Sequence, residues 1–258
     1  MEKKMELGSK SSTFSKVLGV LKCFSIYHSD LTFKEISAMV GVPDSTLYRY
    51  LQILEDECLL ARDPDTGKYT IGMDVISLAG IALESMDIRR HAQPHMDELS
   101  LKLGANANLG TLYQGDLLHL AFSVRVQVDS QYGILGRRSP AHTTAMGKSL
   151  LALLSEREVR KMIETYGWRP STPYSIQDFD SLFEQLSAIR AQGYATDIKE
   201  SGLYGCCLGA AIKKKGGQAI AAVSISTTVE KFETEFETIR DAVLQTARKI
   251  SYQFGYIE

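Results

Sequence analysis

From Thr13 to Tyr27 the apolar residues Phe14, Val17, Leu18, Leu21 and Phe24 recur at steps of three and four, the spacing of one helical face. Thr32 stands three residues before Glu35, a capping box that opens a short helix over Phe33 to Met39 with Ile36, Met39 and Val40 inward; Gly41 ends it. After Pro43 a second helix begins at Asp44 or Ser45 and runs to about Glu57, with Leu47, Tyr50, Leu51 and Leu54 on its apolar side. Leu59 to Ala61 and Tyr69 to Ile71 then flank Asp63-Pro64-Asp65-Thr66-Gly67, turn residues that close a β-hairpin. Helix, turn, helix and hairpin give residues 1–72 the order of a winged helix-turn-helix domain.

From Met73 to about Arg90 the helical pattern resumes, with Val75, Ile76, Ala79, Ala82, Leu83 and Met86 on one stripe that has no partner in the preceding segment. Residues 73–90 are therefore expected to form a linker helix and a possible dimer seam. Residues 91–258 read as a second domain. Its expected elements are a helix from about Met96 to Leu103, closed by Gly104, and a hairpin of Ala105 to Tyr113 and Leu117 to Arg125 around Gln114-Gly115-Asp116. Helices follow at His142 to Leu154 and Phe179 to Gln192, then a hairpin of Leu208 to Ile212 and Ala219 to Ser226, and a last helix from about Glu233 to Phe254. Helices and antiparallel strands mixed in this order place the chain in the α+β class.

With 258 residues, 44% hydrophobic and 23% charged, the chain has the size of two modest domains and enough apolar content for a core, which excludes disordered and fibrous classes. The formal charge of -2 shows no global excess of positive charge, so any contact with nucleic acid must be local. Cys23, Cys58, Cys206 and Cys207 make neither a disulfide framework nor a metal-spaced pair, which fits a reducing compartment. Met1 to Lys10 is followed by no apolar segment of a secretory signal, and Val75 to Leu83 is interrupted by Ser77 and Gly80, far short of the ~20 apolar residues of a membrane span. A cytoplasmic location without membrane contact is expected.

In a helix-turn-helix the second helix enters the major groove N-terminus first. Here that end exposes Ser45, Thr46, Tyr48 and Arg49, whose hydroxyls and guanidinium can bond base edges and phosphates. Lys34 on the first helix, with Arg62 and Lys68 in the wing, can neutralise flanking phosphates. Residues 1–72 hold nine Lys or Arg against ten Asp or Glu, but Glu55, Asp56 and Glu57 sit at the far end of the recognition helix and Asp63 and Asp65 at the wing tip. The groove-facing end can thus stay positive.

Signals for catalysis are poor. Gly147-Lys148-Ser149 resembles the tail of a phosphate-binding loop, but His142 stands where that motif needs glycine. His91 and His95 are four apart, yet Pro94 disturbs their helix and no Glu follows His91 as a metalloprotease base, so they read as solvated surface histidines. Vicinal Cys206 and Cys207 bond to each other only with strain, and no G-x-S-x-G occurs. No catalytic residue, cofactor or metal site is expected, and an enzyme or metabolite-binding module whose N-terminal domain contacts protein rather than DNA is the alternative.

Two independent sets of residues carry a family resemblance. The first is Leu31-Thr32-Phe33-Lys34-Glu35-Ile36-Ser37, Gly41-Val42-Pro43, Ser45-Thr46-Leu47-Tyr48-Arg49 and Gly67-Lys68-Tyr69-Thr70-Ile71-Gly72. The second is Gly136-Arg137-Arg138, His142-Thr143-Thr144-Ala145-Met146-Gly147-Lys148, Ile189-Arg190-Ala191-Gln192-Gly193-Tyr194, Cys207, and Ala221-Ala222-Val223-Ser224-Ile225-Ser226. Over nearly the whole chain the sequence resembles the IclR family of bacterial transcriptional regulators. The resemblance implies a winged helix-turn-helix, a linker helix, a GAF-like effector domain with an antiparallel sheet flanked by helices, and homodimers or homotetramers on double-stranded operator DNA. It departs at Asp44, where the family often has Lys or Arg and which here fits an N-cap, and at Cys206, where an Arg commonly precedes the cysteine.

For the effector the residues themselves suggest a site. A helix opening after Thr143 and Thr144 would present the N–H groups of Ala145 and Met146 to a carboxylate. Ser224 and Ser226, two apart on a strand, point their hydroxyls to one face, and Val223 and Ile225 to the other. Asp197 could accept bonds from ligand hydroxyls or hold a pocket loop, and Cys207 could line the wall. The family's effector contacts fall on these same positions, Ala145, Met146, Asp197, Cys207, Ser224 and Ser226. The implied function is a regulator, expected to repress a catabolic operon, whose effector is a small carboxylate; Arg137-Arg138 and Ala247-Arg248-Lys249-Ile250-Ser251 resemble regulators of sugar-acid catabolism.

Overall fold

Amphipathic helices followed by strands that alternate small, apolar and polar residues give each half of the chain its own core. The computed structural model describes residues 12–126 and 133–257. The chain divides into two compact units between Ser85 and Met86. The expectation for Met1 to Lys10 lies outside the described residues.

The first unit runs α1 (Thr13–Leu21), β1 (Asp30–Leu31), α2 (Phe33–Val40), α3 (Asp44–Asp56), β2 (Leu60–Arg62), β3 (Tyr69–Ile71) and α4 (Asp74–Glu84). The capping box forms: Thr32 Oγ1 accepts from the Glu35 N–H at 3.3 Å and Glu35 Oε2 accepts from the Thr32 N–H at 2.7 Å. Gly41 closes α2 at φ 67°, a left-handed position that glycine takes without strain. Val17 and Val20 of α1, Ile36 and Val40 of α2, Leu47, Leu51 and Leu54 of α3, and Leu60 and Tyr69 of the wing share one core. The wing is a three-stranded antiparallel sheet, order β1-β3-β2, with a strand over Asp30–Leu31 that the apolar pattern did not predict because only Leu31 is buried.

Three expectations for this unit need correction. Helix α1 stops at Leu21 rather than Tyr27, because the Ser25 hydroxyl takes the N–H groups of Tyr27 and His28 and stabilises a turn in place of the next helical turn. Its Phe14 and Leu18 lie on the exposed side, and Val17 and Val20 make the inner face. Asp44 is the first residue of α3 rather than its cap; Pro43 occupies the cap, and Asp44 Oδ1 accepts from Ser37 Oγ at 2.8 Å, tying α3 to α2.

The second unit runs α5 (Asp87–Leu103), β4 (Asn106–Tyr113), β5 (Asp116–Ser123), β6 (Arg138–Pro140), a single 3-10 turn (Ala141–Thr143), α6 (Ala145–Leu151), α7 (Glu156–Tyr166), α8 (Phe179–Gln192), β7 (Ala195–Ile198), β8 (Cys206–Lys213), β9 (Ala219–Thr227), α9 (Val229–Thr234) and α10 (Phe236–Gln253). The six strands form one antiparallel sheet in the order β6-β5-β4-β9-β8-β7. One face, with Ala107, Leu109, Leu208, Ala210, Val223 and Ile225, is covered by Met96 and Leu99 of α5 and Val243 and Ile250 of α10. On the other, Met146 and Leu150 of α6 pack on Leu117 and Ala222. Outside that layer, Val159 of α7 and Leu182 and Leu186 of α8 surround Leu151.

The single helix expected over 73–90 is broken: Met86 is extended (φ -87°, ψ 95°) and separates α4 from α5. Pro94 lies inside α5 instead of before a new helix. Its missing N–H removes one ladder bond, while buried Ala92, Met96, Leu99 and Leu103 hold the helix on both sides of it. No residue of α4 is buried within its own unit, and Met73, Ile76, Leu78 and Ile81 are exposed. Helix α6 begins at Ala145, not His142, since Thr144 is the cap that accepts from the Gly147 N–H at 3.0 Å. The last helix is two, α9 and α10, joined at Glu235, an arrangement in which Phe232 and Phe236 meet edge to face at 5.5 Å. Helix α7 went unpredicted although Ser155 and Glu158 form a second capping box. No helix among the described residues is long and apolar enough to cross a membrane.

Replacing Thr32 by Ala removes one acceptor and the reciprocal bond of the first capping box; it is expected to destabilise the first unit by ~1 kcal/mol in urea denaturation, with the second unit unaffected.

Candidate functional site

On α3 the inward residues are Leu47, Tyr50, Leu51 and Leu54, which leaves Ser45, Tyr48 and Arg49 exposed and Thr46 half-buried at its N-terminal end. Lys34 on α2 is exposed as well. The wing residues are more constrained. Arg62 lies over the Tyr69 ring at 5.6 Å and its Nε donates to the Gly67 carbonyl at 3.4 Å. Lys68 Nζ donates to Asp30 Oδ2 at 2.6 Å, and this pairing holds the Asp30 carboxyl below its ordinary range. The Lys68 charge expected at a phosphate is therefore already opposed inside the wing, whereas Lys34 and Arg49 have no such partner among the described residues.

In the second unit all six residues singled out for the effector, Ala145, Met146, Asp197, Cys207, Ser224 and Ser226, line one cavity of about 230 Å³. Period-2 alternation accounts for the floor. Val223 and Ile225 of β9 turn toward α5 and α10, so Ser224 and Ser226 turn the other way, beside Cys207 of β8, whose register partner is Ser226. Gly209 of β8 allows α6 to start directly above: a Cβ there would sit 3.0 Å from the Met146 nitrogen. Ala145 and Met146 are the first two helical residues, positions whose N–H groups have no intrahelical acceptor.

Asp197 is 2% exposed, and its bonds show what it does. Oδ1 accepts from the N–H of Glu200 at 2.8 Å and of Ser201 at 3.2 Å, and Oδ2 accepts from the Ser201 hydroxyl. The carboxylate folds the 198–201 turn, and the segment Ser201, Gly202, Leu203, Tyr204 that follows forms a wall of the cavity. Of the two roles open in the sequence, the geometry shows loop holding. Burial pushes its carboxyl above the ordinary range against the opposing effect of the Ser201 hydrogen bonds and the Lys148 charge.

Behind this wall lies a buried ion pair. Lys148, 1% exposed on α6, donates from Nζ to Glu200 Oε1 and, at 2.9 Å, to Gln185 Oε1 of α8. Burial pushes the Glu200 carboxyl up to about 7, with Lys148 pulling it back. The pair joins the cavity loop to α6. It also gives Lys148 a structural role in place of phosphate binding, and Gly147 a steric one: a Cβ there would lie 2.1 Å from the Ala141 carbonyl oxygen.

Sequence reasoning missed Asn108, His119 and Phe122, which line the same cavity. Asn106 and Asn108 stand two apart on a mostly apolar strand, the same signal that drew attention to Ser224 and Ser226. His119 stacks on Phe122 at 5.4 Å, and burial together with Arg137 lowers its imidazole to about 4, so it is neutral near pH 7. The remaining chemistry is inert. His95 Nε2 bonds Gln253 at 3.0 Å, His91 packs edge-on to Phe254, and no group of three His, Cys, Asp or Glu among the described residues could hold a metal. Cys206 faces the α10 core and Cys207 the cavity; burial pushes both thiols up, away from the reactive thiolate.

Against known proteins, residues 80–252 match the family model of the bacterial transcriptional regulator IclR C-terminal domain, and residues 13–64 that of the IclR helix-turn-helix domain. The chain is 31% identical to the HTH-type transcriptional regulator KdgR of Escherichia coli (strain K12), over 95% of this chain and 93% of that relative. It is 29% identical to the HTH-type transcriptional repressor AllR of the same strain, over 86% of this chain and 82% of AllR. The fold is shared with a crystal structure of an IclR homolog complexed with 4-hydroxybenzoate from Microbacterium hydrocarbonoxydans, at a TM-score of 0.80 and 23% identity over 95% of this chain and 99% of that one.

Lys148→Met leaves Glu200 buried without its cation and is expected to destabilise the second unit by about 3–5 kcal/mol in urea denaturation. The double variant Lys148→Met with Glu200→Leu should recover most of that loss; equal loss in both would show that the packing of the Lys148 stem, and not the charge, decides the stability.

Proposed function

Since the chain belongs to the IclR family of bacterial transcriptional regulators and is a DNA-binding regulator, we propose that it represses a catabolic operon and releases it when a small carboxylate or sugar acid fills the cavity of the second unit. One observation carries the ligand half of this reading: six residues chosen from sequence, spread from 145 to 226, converge on a single cavity. At about 230 Å³ it lies below the ~300–1,000 Å³ of pockets for drug-sized ligands, which favours a small metabolite. The donors at its floor and at the start of α6 favour an anion. Repression is supported by AllR, named a repressor, and ligand binding by the relative crystallised with 4-hydroxybenzoate.

In this reading residues 1–72 hold the DNA, 73–90 link, and 91–258 sense the effector. Ser45, Thr46, Tyr48 and Arg49 face base edges, and Lys34, Arg62 and Lys68 the phosphates. The small positive face of one copy calls for a homodimer or homotetramer to reach tight binding. The exposed apolar side of α4 offers a seam for it. The ligand acts by changing the wall that Asp197 folds, which the Lys148–Glu200 pair connects to α6, and so changes the spacing of recognition helices.

Fluorescence anisotropy with the DNA upstream of its own gene tests the DNA half. Affinity should fall steeply with salt, and Arg49→Ala should cost about 1–3 kcal/mol and relax sequence preference; salt-independent binding would sink it. For the ligand half, Ser224→Ala with Asp197→Asn should abolish release of DNA by small carboxylates while operator binding is kept, and an unchanged response would argue against the cavity as effector site.

A further inference from the structure

Asn108 is 4% exposed and stands at the centre of the sheet, directly opposite Ser224 in the pairing of β4 with β9. Its Nδ2 donates to Ser226 Oγ at 2.9 Å and to Ser224 Oγ at 3.3 Å, so both amide protons are engaged. Each hydroxyl oxygen thereby receives a bond and keeps its own proton to give away. Ser226 Oγ and Cys207 Sγ bond at 3.1 Å with either able to donate, whereas the Ser224 O–H has no acceptor among the described residues. Asn108 Oδ1 likewise has no protein partner among them and is not sealed from the cavity that Asn108 lines. The floor thus presents a donor and an acceptor side by side. Asp197, the cavity's carboxylate, already accepts three bonds from Glu200 and Ser201, so most of its acceptor capacity is spent on the turn.

We propose that Asn108 is a specificity-determining residue that makes the cavity select hydroxy acids: a ligand carboxylate oxygen accepts from the Ser224 O–H, and a ligand hydroxyl donates to Asn108 Oδ1. This rests on the cavity being the effector site and narrows its ligand class. A 2-oxo acid or a deoxy acid has no hydroxyl proton for Oδ1 and leaves a desolvated acceptor unpaired. An alditol brings hydroxyls but no anion. Discrimination against a ligand that lacks a bond the site was built to make reaches orders of magnitude, while discrimination by apolar contact alone does not.

The test is titration calorimetry on the full chain with four- to six-carbon aldonates, D-gluconate among them, each beside its fully deoxy acid (hexanoate for gluconate), its 2-oxo acid without hydroxyls and its alditol (sorbitol for gluconate). At least one aldonate should bind at least tenfold more tightly than its three counterparts. Asn108→Leu should lower that aldonate's affinity at least tenfold and leave the deoxy acid no weaker than before, which collapses the preference. Asn108→Asp, nearly isosteric, adds a charge beside the ligand carboxylate and should abolish acid binding while circular dichroism and melting temperature confirm the fold. Should deoxy or oxo acids bind as tightly as hydroxy acids, or Asn108→Leu weaken all acids equally, the proposal fails and the effector site stands. Binding of no acid of any class overturns both.

Discussion

Everything in the second unit depends on the alternation of the three central strands. A strand in a two-sided sheet must satisfy both faces at once, and β4, β8 and β9 do so with different chemistry on each. Leu109, Leu208, Val223 and Ile225 are buried under α5 and α10, which anchors the sheet. That anchorage leaves the opposite face free to carry Asn108, Cys207, Ser224 and Ser226 without loss of the core. The polar residues would be a liability in a core; over a cavity their hydroxyl and amide groups stay open to hydrogen bonding.

The same face also needs a roof, and the chain builds it from buried charges. Asp197 and Glu200 belong to one short turn, and neither is open to bulk water. Asp197 is satisfied by the turn itself, whereas Glu200 has only its Oε1 met, by Lys148 across on α6, and its Oε2 is buried without a partner among the described residues. Buried ion pairs contribute little net stability compared with apolar replacements, but they permit few alternative arrangements. A wall fixed in this way has one defined position, which a loosely packed loop would not.

In the first unit the same economy applies to charge. A bulk value of -2 gives no hint of a DNA reader. Glu55, Asp56 and Glu57 stand at the far end of α3 and Asp63 and Asp65 at the wing tip, where Asp63 is occupied in accepting the N–H groups of Asp65 and Thr66, while Asp44 at the near end of α3 accepts from Ser37 Oγ. Lys68 is opposed by Asp30, so Lys34 and Arg49 hold most of the positive character at the exposed end.

Local rules were legible from the chain itself: the capping box at Thr32, the left-handed Gly41, the turn chemistry of the wing, the extent of Phe179–Gln192, and the opposed faces of Val223 and Ser224. Each depends on neighbours within a few positions, which is what sequence displays. Even the six cavity residues were found, because residue type and family pattern mark them. What only the tertiary structure decided are matters of long-range packing. Pro94 stays inside a helix because its flanks are buried. The short strands β1, β6 and β7 form because a partner strand offers an edge. Asp197 proves to hold a loop, Lys148 to meet a glutamate 52 positions away, and Asn108 to bond serines 116 and 118 positions away. Hydrogen bonds between residues so far apart leave no periodic trace in a sequence, and it is those bonds that set which atoms the cavity offers.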